Sequence, residues 1–166
     1  MTGGADRRRS YCHRGGESPL LGLTIPEHFA GVVDRYGGET AVTSVPQGRR
    51  LSYADLAAAT DGLARGLLGF GFGPGDRIGV WSTNNVEWLL LQMATARIGA
   101  VLVNVNPAYR PKELAYALGK SEVQGLFVIP SFRSSDYVGM LRELIPSLDQ
   151  AGSTVLSCEA FPSLRR

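Results

Sequence analysis

A chain of 166 residues has room for one domain, or for one piece of a larger one. Hydrophobic side chains at 44% and charged ones at 19% fit a globular protein with a buried core. Seventeen basic against fifteen acidic residues leave a formal charge of +2, too balanced for a nucleic-acid-binding surface.

The basic cluster sits at the start, with Arg7, Arg8, Arg9 and Arg14 diluted by Asp6 and Glu17. Residues 1–22 lack periodicity and are rich in Gly, Arg and Ser, so they read as a disordered tail. Residues 23–166 then form one α/β domain. Ser18–Ile25 is too short, and too late after the arginines, for a secretory signal; the glycines at 3, 4, 15 and 16 oppose the amphipathic helix of a transit peptide. No apolar run reaches the ~18 residues of a membrane span. Cys12 and Cys158 make no framework, which points to a reducing, cytoplasmic compartment.

Thr24, Pro26 and Glu27 carry the signature of a capped helix running to about Tyr36 and stopping at Gly37-Gly38. Ala41–Val45 and Arg49–Leu51, joined by Pro46-Gln47-Gly48, predict a hairpin. Ser52, with Asp55 three residues on, caps a helix whose stripe is Leu56, Ala59, Leu63, Leu67 and Phe70. Gly69 to Gly75 end it, and Pro74-Gly75-Asp76 turns the chain into a strand over Arg77–Ser82. From Asn85 to Ile98 apolar residues surround most of a helix, which implies cover on more than one side. Val101–Val105 is a β-branched run of the kind found in parallel sheets. Pro111 opens a helix with Leu114, Ala117 and Leu118 inward and Gly119 near its end. Leu126–Ile129 is a strand, Ser135–Ile145 a helix, and Thr154–Ser157 a last strand. This alternation predicts an α/β fold: a mainly parallel sheet with helices on both faces, plus a short N-terminal hairpin.

Isolated chemical motifs are few. Gly119-Lys120-Ser121 echoes a phosphate loop, but position 114 is Leu where that loop needs glycine, and the helix comes before it instead of after. The glycines from Gly69 to Gly75 have Pro74 where a dinucleotide fingerprint needs glycine. His13 and His28 have no partners at metal-ligand spacing. Neither a nucleophile elbow nor a defensible carboxylate pair is present. Asn104, Asn106 and Tyr109 fall at the C-terminal end of a strand, the side where open α/β sheets bind ligands. Against that, Asn106 and Pro107 suit a plain turn with Tyr109 packed over it.

Three blocks share an order and spacing. They are Leu51-Ser52-Tyr53-Ala54-Asp55-Leu56, then Gly75 to Trp81 with Asn84 and Glu87-Trp88, then Ile98-Gly99-Ala100 through Asn104, Asn106-Pro107-Ala108-Tyr109 and Glu113-Leu114. Together they resemble the N-terminal part of the AMP-forming acyl-CoA synthetases, from about Thr24 to Leu148. The Val-Asn-Pro-Ala-Tyr form is similar to fatty-acid and medium-chain members.

The resemblance implies a fold that is the incomplete N-terminal subdomain of an adenylate-forming enzyme. It also implies a parent reaction joining a fatty acid to coenzyme A, with ATP, Mg and CoA as cofactors of the complete enzyme. The family's phosphate work is done by a Ser/Thr/Gly-rich loop ending in Lys, a Tyr-Gly-x-Thr-Glu motif, a ribose-holding Asp and a lysine of a mobile C-terminal domain. Tyr36-Gly37-Gly38-Glu39-Thr40 has its last two residues in the wrong order and sits at a helix-to-strand turn. No catalytic, cofactor or metal residue is therefore carried over, and the chain is expected to be inactive alone. One rival reading is a non-catalytic module binding a partner chain or an acyl ligand, self-associating through an uncovered sheet edge. Another, a free-standing flavodoxin-like nucleotide domain, is weakened by the missing phosphate loop.

Overall fold

A computed structural model describes residues 20–150 and 156–166. Helix α1 (Ile25–Tyr36) starts at Thr24, whose hydroxyl accepts from the Glu27 amide while its own N–H donates to the Glu27 carboxylate at 2.7 Å. Strands β1 (Thr40–Ser44) and β2 (Arg49–Ser52) pair antiparallel around Gly48, whose φ of 61° is easy only for glycine. A second reciprocal box, between Ser52 and Asp55, opens α2 (Tyr53–Gly69). Then come β3 (Arg77–Trp81), α3 (Val86–Arg97), β4 (Val101–Val105), α4 (Pro111–Ser121) and β5 (Gly125–Val128). A minimal hairpin, β6 (Ser131–Phe132) and β7 (Ser135–Asp136), leads into α5 (Tyr137–Leu144).

The central sheet has the order β4-β3-β5, and both pairings are parallel. Side chains alternate across it, as strand geometry demands. Ile78, Val80, Leu102 and Phe127 face α2 and α3, where Leu67, Leu91 and Ala94 complete one core. Trp81, Val103, Val105, Leu126 and Val128 face α4 and α5 and join Leu114, Leu118, Tyr137 and Leu141 in the other. Helices thus cover both faces, as the alternating pattern predicts. A Cβ on Gly79 would lie 2.9 Å from Leu126 and 3.1 Å from Val123, so glycine lets those side chains close over β3.

Several details differ from expectation. The buried stripe of α2 is Leu56, Thr60, Ala64 and Leu67, rotated from the predicted one. Phe70 is 55% exposed, and Phe72, beyond the helix end, enters the core at 3% exposure instead. Among the described residues β4 is an edge strand, and Val101 is 49% exposed where a strand flanked on both sides would bury it. α4 has Gly119 near its end, as expected, and stops at Ser121, but the left-handed cap is Glu122, φ 48°, and not a glycine. β6 and β7 were unforeseen, because their tight turn puts Arg133 rather than glycine at positive φ, 53°. α5 begins at Tyr137, two residues later than expected, behind an Asp136 cap.

The expected last strand falls half outside the described residues. Leu156 and Ser157 form no strand; the chain instead brings Arg165 and Arg166 to β5. The expected tail lies outside the described residues up to position 19, and Leu20–Gly22 is irregular and exposed. No described helix is long and apolar enough to cross a membrane.

Candidate functional site

The C-terminal ends of β3, β4 and β5 carry Ser82 to Asn85, Asn106 to Arg110, and Ile129-Pro130. On the α4/α5 face, the turn after β4 is locked from both sides. Trp81 Nε1–H donates to the Asn106 carbonyl at 3.1 Å, and the Tyr137 hydroxyl donates to the Pro107 carbonyl at 2.7 Å. The two rings stack, with centroids 4.1 Å apart and planes 8° apart. Burial pushes the Tyr137 phenol above its ordinary range, and nearby Arg110 opposes that shift. Within the turn, Asn106 Oδ1 accepts from the Ala108 amide at 2.9 Å, and the Tyr109 amide donates to the Asn106 carbonyl at 3.0 Å. The side chain of Asn106 is therefore engaged in an Asx turn. Tyr109 is half-buried against the core. Asn104 is exposed within the β3–β4 pairing, opposite Val80. The three candidates are not brought together around a common cavity.

The α2/α3 face offers a cavity at the same end of the sheet. A cleft of about 570 Å³ opens between β3, β5 and the start of α3. Leu63, Val80, Trp88, Leu91, Phe127 and Ile129 give it apolar walls, and Gln47, Ser82, Asn85 and Glu87 stand at its polar end. These polar groups hold one another. Asn85 Oδ1 caps α3 through the Trp88 amide at 2.7 Å, and Asn85 Nδ2 donates to Ser82 Oγ at 2.8 Å. Gln47 Oε1 accepts from the Val86 amide at 2.9 Å, and Gln47 Nε2 donates to Glu87 at 2.7 Å. Arg49 pairs with Glu87 as well. The hydrogen bond from Gln47, more than the Arg49 charge, holds the Glu87 carboxyl below its ordinary value. The hairpin tip thus clamps the N-terminus of α3. Position 47 reads in sequence only as the middle of a turn, and nothing local marks its reach to Val86.

The rejected motifs fall in structural roles. Gly119-Lys120-Ser121 ends α4, with Ser121 Oγ donating to the Ala117 carbonyl at 2.5 Å. Gly71 and Gly75, at φ 84° and 83°, shape the turn into β3. Tyr36 to Thr40 closes α1 onto β1, with the Glu39 amide on the Tyr36 carbonyl at 2.8 Å. His28 is exposed on α1. Among the described residues, no three His, Cys, Asp or Glu side chains converge as a metal site. What the geometry provides is a small parallel sheet covered on both faces, with an apolar cleft at the carboxyl ends of its strands.

That arrangement is of the α/β class in which ligands are held beyond the strand ends. Residues 29–164 match the AMP-binding enzyme family, and the chain belongs to it. The mitochondrial medium-chain acyl-CoA ligase of Rattus norvegicus is 35% identical over 155 residues, which are 93% of this chain and 25% of the relative. The corresponding ligase of Bos taurus is 39% identical over 145 residues, 87% of this chain and 24% of its own length. A crystal structure from Rhodopseudomonas palustris, provisionally described as a long-chain-fatty-acid CoA ligase, is similar with a TM-score of 0.66 and 30% identity. It covers 76% of this chain and 30% of that one. The N-terminal domain of a Mycobacterium tuberculosis protein, at 24% identity and TM-score 0.62, shares the fold over 64% of this chain and 27% of its own. The chain spans about a quarter of the length of the curated relatives it matches.

Proposed function

We propose that these residues form the N-terminal scaffold of an acid–CoA ligase, and that the complete protein joins a fatty acid to coenzyme A. In that reaction a carboxylate attacks the α-phosphate of ATP, pyrophosphate leaves, and the CoA thiol displaces AMP from the acyl adenylate. The observation that carries the reading is the 35% identity to a medium-chain acyl-CoA ligase across 93% of this chain. ATP, Mg and CoA belong to the complete protein. Charge grows on the phosphate oxygens in the first step, so donors and cations must already point at them. The 166 residues contain neither a Ser/Thr/Gly-rich loop ending in Lys nor a Tyr-Gly-x-Thr-Glu motif. The chain by itself therefore forms no acyl adenylate.

The test is acid-dependent pyrophosphate release from ATP by the purified chain, with octanoate and palmitate as acids. Release is expected to stay at background, and clear turnover overturns the reading of an inactive scaffold. Joining the chain to the remaining three-quarters of a medium-chain ligase should restore acyl-CoA formation. A second reading, a non-catalytic module for an acyl ligand, draws support from the apolar cleft. It requires dodecanoate to quench Trp88 fluorescence saturably in a Trp81→Phe background; an unchanged signal rules it out.

A further inference from the structure

The seam between α1 and the α2/α3 pair contains a buried hydroxyl without a partner. Thr60 is 3% exposed, and its Oγ1 makes no hydrogen bond among the described residues. Thr95 of α3 shows the usual solution for a helical threonine. Its Oγ1 donates to the Leu91 carbonyl, one turn back, at 2.9 Å. A hydroxyl buried unpaired is costly, so such groups face an ordered water or a ligand. Thr60 lines a cavity of about 140 Å³, the scale of the ~150 Å³ cavities that take up one benzene-sized molecule. Phe29 and Val33 of α1, Ala57 of α2 and Met93 of α3 give it apolar walls. Helix α1 buries none of its residues completely, so it sits on this seam without filling it. Asp34, Asp61 and Arg97 also border the cavity. Asp34 is exposed, and the Asp61 and Arg97 side chains, paired at 3.0 Å, are 41% and 47% exposed, so these charges stand at the mouth. Two carboxylates against one guanidinium leave that mouth negative. The cavity shares no residue with the cleft at the strand ends.

We propose that this cavity is a binding site for a small amino alcohol. Its hydroxyl pairs with Thr60, its methylenes lie along Phe29, Ala57 and Met93, and its ammonium is held by Asp34. The order of burial sets the order of groups. At the base, Thr60 offers one neutral hydroxyl, which matches a neutral donor or acceptor and would leave a buried charge uncompensated. The walls between base and mouth offer only apolar contact. The mouth is wetted and carries excess negative charge, so a cation is attracted there and keeps much of its hydration.

The probe is 4-amino-1-butanol, titrated into the whole 166-residue chain. Butylamine, which lacks the hydroxyl, and 1-butanol, which lacks the charge, are the controls. Binding is read from the methyl NMR signals of Ala57, Thr60 and Met93. Saturable shifts are expected at roughly millimolar concentration, as suits so small a ligand. The amino alcohol is expected to bind about three- to tenfold tighter than either control, the worth of one polar contact. Thr60→Val keeps the shape and removes the hydroxyl, so it should erase the preference over butylamine. Its urea midpoint should equal or exceed that of the unaltered chain, because a buried unpaired group is gone. Asp34→Asn, at an exposed position, should erase the preference over 1-butanol. Absence of saturable shifts in the unaltered chain overturns the proposal, since the cavity is then closed or filled by the chain itself. A preference that survives either substitution overturns it as well. So does a lowered midpoint in Thr60→Val, because the hydroxyl then has a partner within the fold.

Discussion

Gly125 shows how much a single missing side chain can matter. A Cβ there would overlap Cζ of the Phe72 ring and lie 2.9 Å from its Cε1. Phe72 is itself buried in the α2/α3 core and cannot swing out freely. Gly125→Ala is therefore expected to destabilise by about 1–3 kcal/mol, the usual cost of overpacking. Urea unfolding measures it, and Phe72→Leu in the same chain should recover part of the loss. In sequence this glycine is a neutral residue at the head of a strand, because the atom that forbids a side chain belongs to a distant segment. Asn106 is the opposite case. Its turn role was legible, since the amide it satisfies is only two residues on.

At the scale of elements, the helix starts were the most readable part of the chain. Both capping boxes are local devices, complete within four residues. Ser52→Ala is expected to cost about 1 kcal/mol at neutral pH. Hydrogen bonds from the Ser52 hydroxyl, and then from its amide, hold the Asp55 carboxyl below its ordinary value. A lowered acid pKa stabilises the fold above the unfolded value, about 3.9 for Asp, and the benefit is lost as pH falls through the folded value. The thermal midpoint of the unaltered chain should thus fall more steeply between about pH 5 and pH 2 than that of Ser52→Ala, read by circular dichroism.

Gln47 joins two elements and gave no comparable signal. Gln47→Ala should accelerate exchange at the Val86 amide and cost roughly 0.5–1.5 kcal/mol, the net worth of a typical hydrogen bond. If Val86 exchange is unmoved, the hairpin does not clamp α3. The β6–β7 hairpin stayed hidden for another reason: strands of two residues carry no periodicity to detect.

For the whole molecule, the alternation of helices and strands was enough to predict a parallel sheet with two covered faces, and that is the sheet observed. Strand order was not readable, because nothing in a strand's own residues says which neighbour it takes. The cleft was equally hidden: its walls are drawn from residues as far apart as Gln47 and Pro130. The family resemblance ran to about Leu148, whereas the family match extends to residue 164. The segment beyond Leu148 is the one whose Arg165 and Arg166 meet β5 through Gln124 and Leu126.

The two cores are closed by different lengths of polypeptide. The α2/α3 side is assembled from residues between Leu63 and Phe127, while the α4/α5 side waits for Leu156, Phe161 and Leu164. A ribosome adds roughly 5–20 residues per second, N-terminus first. One half of the nascent domain can therefore fold while Trp81 on the other side is still wetted, and a chaperone acting on this chain would find its target in that interval of a few seconds.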